Sequence, residues 1–248
     1  MTGLNKIYNE DCLEGMKRIP DKSVDMILAD LPYGTTRNKW DSIIPLDPLW
    51  EQYERIIKDN GAIVLTAQTP FDKVLGVSNL KLLKYEWIWQ KSKPTGHLNA
   101  KKMPMKEHEN VLVFYKKLPD YNPQNLVYSP RTNTRTKTGS NYDKASNSNF
   151  SEYTNYPKSV LCFPHDTNTT HPTQKPVALF EYLIRTYTNE KETVLDNCAG
   201  SFTTAVACEN TNRNWICMEK EDKYCNIGLT RINDNRERLS LPLLDSIN

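Results

Sequence analysis

Apolar and polar positions fall into alternating blocks that predict a sheet interleaved with helices. Val24-Asp25-Met26-Ile27-Leu28-Ala29, Ala62-Ile63-Val64-Leu65-Thr66-Ala67, Thr193-Val194-Leu195-Asp196 and Trp215-Ile216-Cys217-Met218-Glu219 are short apolar runs that read as buried strands. Lys6-Ile7-Tyr8, residues 85–89 and residues 110–115 are further strand candidates. Between them the apolar spacing becomes helical. Trp50, Tyr53, Ile56 and Ile57 share one side of 49–58, which Asn60-Gly61 is expected to stop. Val177, Phe180, Leu183, Ile184 and Tyr187 share one side of 177–188, and Pro176 suits the start of that helix. Residues 70–83, 203–209 and 222–238 complete the helices, with a helical turn around Leu13, Met16 and Ile19. Strand runs that are apolar throughout, alternating with helices, predict an α/β fold. We expect a doubly wound, mostly parallel sheet with one antiparallel strand near an edge.

The periodicity lapses from 116 to 165. Asn, Ser, Thr, Tyr, Lys and Arg dominate there, with tyrosines at 121, 128, 142, 153 and 156. A stretch of this length without regular structure is either disordered or functional. Charge separates it further from the rest. The chain carries a net charge of only +2, yet residues 91–160 hold twelve Lys/Arg against five Asp/Glu, which leaves −5 for the remainder. A basic segment on a slightly acidic body suits a polyanion. Basic side chains interleaved with aromatics suit phosphate contact and base stacking, so Arg131, Arg135 and Lys137 are the candidate nucleic-acid contacts. A flexible surface insert is the competing reading.

Composition narrows the class. No apolar run approaches the ~20 residues that span a membrane, and the first residues lack a signal-peptide core, so a cytoplasmic protein with no membrane partner is expected. The six cysteines form no Cys-x-x-Cys pair and the four histidines show no ligand spacing, so no metal is expected.

Chemistry concentrates at two strand ends. Asp30-Leu31-Pro32-Tyr33 follows the first buried run, and ligands in open α/β sheets lie outside the carboxyl ends of strands. A carboxylate there accepts from an exocyclic amine, the proline fixes where the preceding carbonyl points, and the tyrosine offers a face for stacking. The second place is Asp196-Asn-Cys-Ala-Gly-Ser-Phe, a small-residue turn between strand and helix, followed by a strand that ends in Glu219. This is half of a Rossmann-like nucleotide site, in which Glu219 accepts both ribose hydroxyls. The phosphate-binding glycine fingerprint is absent, so the ligand need not carry phosphate.

Taken in order, these segments resemble the β-class DNA amino-methyltransferases, over nearly the whole chain. Asp30-Leu-Pro-Tyr resembles the family's Asp-Pro-Pro-Tyr, His171-Pro-Thr-Gln-Lys-Pro its motif before the cofactor strand, and Asp196–Thr204 its Asp-Pro-Phe-x-Gly-Ser-Gly-Thr-Thr. Leu31, Cys198 and Phe202 depart from those patterns; Phe202 stands where a second glycine is usual, and is expected to narrow the turn. The resemblance implies a single methyltransferase domain over 1–248, with a catalytic half (1–115), a target-recognition insert (116–165) and a cofactor half (166–248). It implies S-adenosyl-L-methionine as cofactor, held by Asp11, Thr173, Lys175, Asp196, Ala199, Gly200, Ser201, Phe202, Thr203 and Glu219. For Asp11 and Asp196 the plainer account is helix or turn capping, and for Lys175 a solvated lysine.

The implied reaction is methyl transfer to adenine N6 in double-stranded DNA, with Asp30, Leu31, Pro32 and Tyr33 around a flipped base. A motif beginning with serine is usual for cytosine N4, so Asp30 favours adenine. The alternatives are a cytosine-N4 or RNA methyltransferase and a non-catalytic DNA-binding scaffold. The family admits a homodimer and a restriction endonuclease as partners.

Overall fold

The computed structural model describes residues 3–34, 42–134, 148–167, 174–242 and 244. Among the described residues, ten strands form an eight-stranded sheet and a separate hairpin. The strands are β1 (Lys6–Asn9), β2 (Val24–Asp30), β3 (Ile57–Ala67), β4 (Leu83–Thr95), β5 (Lys106–Phe114), β6 (Val127–Thr134), β7 (Ser148–Thr154), β8 (Val160–Phe163), β9 (Thr193–Asp196) and β10 (Asn214–Glu219). The helices are α1 (Cys12–Met16), α2 (Leu46–Ile56), α3 (Phe71–Ser78), α4 (Val177–Tyr187), α5 (Thr203–Asn210) and α6 (Asp222–Leu239). The sheet order is β1-β10-β9-β2-β3-β5-β4-β8, and β5 alone runs antiparallel to its neighbours. The expected mostly parallel sheet is thus observed, with its reversed strand third from the β8 edge.

Two apolar layers sandwich this sheet. α4, α5 and α6 cover one face, where Leu179, Phe180, Leu183, Ala205, Cys225 and Ile232 meet Met26, Leu28, Val64 and Val113. α1, α2 and α3 cover the other, where Met16, Trp50, Tyr53, Ile56, Phe71 and Leu75 meet Ile27, Ala29, Ile63 and Leu65. Alternate residues of β2 and β3 therefore serve opposite layers, as the period of two requires. The connection after β9 leads to one layer and that after β2 to the other. β9 and β2 are adjacent and parallel, so the crevice beyond their carboxyl ends is a topological switch point.

Several boundaries differ from the expected ones for identifiable reasons. Gly61 does not stop a helix; it lies inside β3, which starts directly after α2. A Cβ at Gly61 would lie 2.7 Å from the Asp25 carbonyl oxygen, so glycine permits the close strand approach beside the irregular register at Val24/Met26. The helix expected over 70–83 is confined to Phe71–Ser78. The compact insert is Pro123–Lys158, narrower than 116–165. Residues 116–122 belong to the main unit: the Lys116 ammonium donates to the Glu54 carbonyl (2.5 Å) and the Asn122 N–H to the Thr186 carbonyl (2.8 Å). Residues 160–163 pair with β4.

The insert is an antiparallel hairpin of β6 and β7, where irregular chain was expected. Tyr128 and Tyr153 meet edge to face across it (5.7 Å, 71°), and Tyr128 and Phe150 are largely exposed. Arg131 is exposed and donates to the Thr154 hydroxyl at 3.3 Å. Arg135 and Lys137 lie outside the described residues, as do Thr173 and His171. Among the described residues, no helix is long and apolar enough to cross a membrane, and no cluster of His, Cys, Asp and Glu could hold a metal ion.

Candidate active site

A cavity of about 600 Å³ opens at the switch point. It suits a ligand of nucleoside size, since small-molecule sites run from roughly 300 to 1,000 Å³. The four residues of the Asp30–Tyr33 motif all line it, as do Asp11, Lys175, Asp196, Ala199, Gly200, Ser201, Thr203 and Glu219. The chain thus brings its two expected strand-end sites into one space.

The sheet explains which side chains arrive there. On the face toward α4, the inward series Met26–Leu28 of β2 continues to Asp30, and Ala62–Val64 of β3 continues to Thr66. Asp30 and Thr66 are direct partners in the β2–β3 register. In β4 the buried series Trp87–Trp89 continues to Lys91, and in β5 Val113–Val111 continues to Glu109, which lies opposite Trp89. Each apolar row ends in a polar group at the same rim.

These groups form one network. Asp30 Oδ1 accepts from the Tyr33 hydroxyl (2.6 Å) and from the Thr66 hydroxyl, while Oδ2 accepts from the Lys175 ammonium (2.6 Å). Lys175 Nζ also lies 3.3 Å from Glu109 Oε2, and Lys91 Nζ lies 2.6 Å from Glu109 Oε1. Lys175, Lys91 and Glu109 are all buried. Burial opposes the Lys175 charge, but Asp30 and Glu109 outweigh it and raise its pKa above the ordinary lysine value. Burial likewise opposes ionisation of Glu109, yet Lys175 and Lys91 hold its carboxyl below the usual value. Two ammoniums therefore face two carboxylates. Burial, followed by the Asp30 charge, pushes the Tyr33 phenol well above its usual value, so Tyr33 stays a hydrogen-bond donor. Its ring is stacked with Phe71 (5.4 Å, 28°), and Lys175 Nζ stands 5.7 Å from the ring centre. Lys175 is not a solvated lysine.

The second half of the cavity is the turn after β9. Asp196 accepts from the Cys198 N–H (3.0 Å) and from the Thr204 hydroxyl, so its side chain organises the turn as the capping account expects. Burial raises its pKa to about 7. Asp11 caps α1, accepting from the N–H groups of Leu13 (2.9 Å) and Glu14 (3.4 Å). Glu219 accepts from the Gly200 and Glu221 N–H groups, each at 2.9 Å, which fixes its carboxylate at the cavity edge. Arg231 backs the turn, donating to the Ser201 carbonyl (2.7 Å) and the Thr203 hydroxyl (2.9 Å).

Phe202 does not narrow the turn. Its backbone is left-handed (φ 60°), the conformation that glycine favours, but its side chain turns away from the cavity and is fully buried. A Cβ added to Gly228 of α6 would stand 2.1 Å from the Phe202 ring. Gly228 therefore provides the space that the aromatic ring needs. Burying such a ring contributes roughly 1.5–3 kcal/mol, enough to offset the ~1–2 kcal/mol that the left-handed backbone costs.

Sequence reasoning missed Glu109, Lys91, Thr66 and Phe71. The signal for the first two was a charge set in an otherwise inward row: Lys91 two residues beyond Trp89, Glu109 two before Val111.

Several known proteins are similar to this chain. The N6/N4 methyltransferase family, described as DNA methylase, matches residues 24–230. The DNA adenine methyltransferase YhdJ of Escherichia coli (strain K12) is 29% identical over 91% of this chain and 82% of its own. The type II methyltransferase M.BglII of Bacillus subtilis is 29% identical over 91% of this chain and 68% of its own. Among solved structures, M1.HpyAVI in complex with SAM superposes with a TM-score of 0.64 at 24% identity, covering 91% of this chain and 98% of that one. The cytosine-N4-specific PvuII DNA methyltransferase superposes with a TM-score of 0.69 at 17% identity, covering 99% of this chain and 96% of that one.

Proposed function

The chain belongs to the N6/N4 DNA methylase family, and from that premise we propose that it methylates the N6 amine of adenine in double-stranded DNA. It is a DNA methyltransferase, and its cofactor is S-adenosyl-L-methionine. The observation that carries the finer reading is Asp30: a carboxylate at the end of β2, opening into the same cavity as the Glu219 carboxylate and the Gly200 turn.

The residues fit the cofactor. Glu219, aimed by two backbone N–H groups, suits a ribose diol, and the turn at 196–203 lets backbone approach without a phosphate-binding loop. Asp11, Thr173 and Lys175 complete the proposed cofactor set, and Phe202 serves it only through its backbone. When bound, S-adenosylmethionine supplies a methyl group on a sulfonium.

The chain's own residues then act on the amine. The lone pair of an exocyclic adenine amine is delocalised into the ring. Asp30 and the Leu31 carbonyl each accept one N–H bond, which draws the nitrogen toward sp³ geometry and directs its lone pair. Pro32 fixes that carbonyl. Tyr33 supports the base by stacking, worth ~1–3 kcal/mol against the few kcal/mol that flipping costs. Orientation supplies much of the acceleration, and the proton leaves after the methyl arrives, so Asp30 need not be a strong base. Arg131, Arg135 and Lys137 of the insert are proposed to contact phosphate.

Transfer of radiolabel from S-adenosylmethionine to duplex DNA, single-stranded DNA and RNA in parallel tests this reading. Label in duplex DNA is expected. Label confined to RNA, or none in any polymer despite cofactor binding, would refute it.

A further inference from the structure

The charge network around Asp30 presents an obstacle to the proposed reaction and the means to remove it. Lys175 Nζ holds Asp30 Oδ2 at 2.6 Å and stands over the Tyr33 ring, where Phe71 is already stacked. An incoming base needs both that oxygen and that ring. The reaction also turns a neutral amine into a cation until its proton leaves. An ammonium bound to the same carboxylate opposes that charge at close range.

A second acceptor lies beside this ammonium. Glu109 Oε2 is buried, and it is the only buried side-chain nitrogen or oxygen among the described residues that takes no hydrogen bond. Its contact with Lys175 Nζ, at 3.3 Å, is an ion pair without hydrogen-bond geometry. A charge-assisted N–H···O bond closes at ~2.7–2.9 Å, so the pair stops short of one. The other oxygen, Oε1, is held by Lys91 at 2.6 Å. Lys91 therefore anchors Glu109 and leaves its second oxygen facing Lys175. Buried polar atoms are normally satisfied, and an orphan beside the reacting group needs a reason.

We propose that Glu109 is a positioning residue that receives the Lys175 ammonium when the target base enters. Nζ gives up Asp30 Oδ2, completes a hydrogen bond to Glu109 Oε2 and clears both the carboxylate and the Tyr33 ring for the amine. The lysine keeps a carboxylate partner throughout, so neither position leaves a buried charge unpaired. Asp30 exchanges one N–H donor for another. The inference rests on amine methylation at Asp30 and adds to it Glu109 and Lys91, which reach the amine only through Lys175.

The test is a double-mutant cycle on the full chain, using tritiated S-adenosylmethionine and genomic duplex DNA. Single-turnover rates, cofactor Kd and Tm are measured for wild type, Glu109→Gln, Lys175→Met and the double variant. Glu109→Gln is expected to lower the single-turnover rate on the order of tenfold, within the coupling seen between contacting residues, with cofactor Kd unchanged. Rates are taken at saturating cofactor, because Lys175 belongs to the proposed cofactor set and Lys175→Met is expected to raise cofactor Kd. Under that condition Lys175→Met keeps measurable transfer, and Glu109→Gln costs nothing further in that background. Multiplied losses, a fully active Glu109→Gln, or a folded, cofactor-binding Lys175→Met without activity would each overturn the proposal and leave the methylation reading intact. A wild-type protein that methylates no DNA amine removes both. An N4-methylcytosine product changes the base and supports the same lysine movement, since that amine meets the same carboxylate.

Discussion

Asp30→Ala separates the chemistry from cofactor binding. The substitution deletes both acceptor oxygens that Tyr33, Thr66 and Lys175 share. The Thr66 hydroxyl loses its acceptor, the Tyr33 hydroxyl keeps a 3.4 Å contact to Thr66, and Lys175 retains Glu109. The Asp30 side chain is 26% exposed, so water reaches part of the gap and the stability cost falls toward the lower end of the ~1–3 kcal/mol typical of an orphaned buried group. For a chain of this size that lowers Tm by about 2–4 °C per kcal/mol. The kinetic cost is larger. Removing one preorganised partner of a developing charge lowers kcat by about 10²–10³-fold. The groups proposed to hold the cofactor's ribose, Glu219 and the Gly200 turn, do not touch Asp30, so cofactor Kd is expected to stay near the wild-type value. Single-turnover methyl transfer, calorimetric titration of S-adenosylmethionine and a thermal melt measure the three effects. Transfer at the wild-type rate would refute the assignment of Asp30. Parallel loss of cofactor binding would make Asp30 a cofactor ligand and refute its role at the amine.

Gly228→Ala places a methyl 2.1 Å from the Phe202 ring and should lower Tm sharply, with Phe202→Gly restoring part of the loss; an unchanged melt would contradict the packing. Burial raises the Asp196 pKa to about 7 from 3.8, so the folded state holds this proton longer than the unfolded chain does. Its contribution to stability is full below pH 4 and is lost as pH rises through 7, on the order of 4 kcal/mol. Asp196→Asn should remove that dependence from denaturant titrations between pH 5 and 8, and the same slope in the variant would refute the assignment. Replacing Arg131, Arg135 and Lys137 together should weaken DNA binding and flatten its salt dependence by about 0.9 in slope per lost phosphate contact; an unchanged slope removes the insert from the interface.

The sheet was legible because its strands are buried on both faces, and such runs stand out against helical spacing. Thr193–Asp196 and Asn214–Glu219 appear almost where the apolar pattern places them. β8 was not legible, because Val160–Phe163 is only four residues long and half exposed. Nor was the β6–β7 hairpin, whose exposed Tyr128, Phe150 and Tyr153 give no inward row to read. At the site, residues next to a motif were readable and those set by strand register were not. Asp30, Gly200 and Glu219 announce themselves by position at strand ends and turns. Glu109 meets Lys91 because β5 runs antiparallel to β4, and it meets Lys175 because the segment before α4 brings that ammonium to Asp30 and Glu109, a tertiary fact that local pattern cannot carry. Phe202 misled for the opposite reason: the turn keeps the left-handed backbone of a glycine, and the compensating space comes from Gly228 in a helix two elements later.

Mass spectrometry of nucleosides from DNA and RNA incubated with the protein and S-adenosylmethionine identifies the methylated base and its polymer. N6-methyladenine is expected in DNA, and its loss is expected with Asp30→Ala. N4-methylcytosine as the sole product would contradict the choice of base, and methylated nucleosides from RNA alone would contradict the substrate.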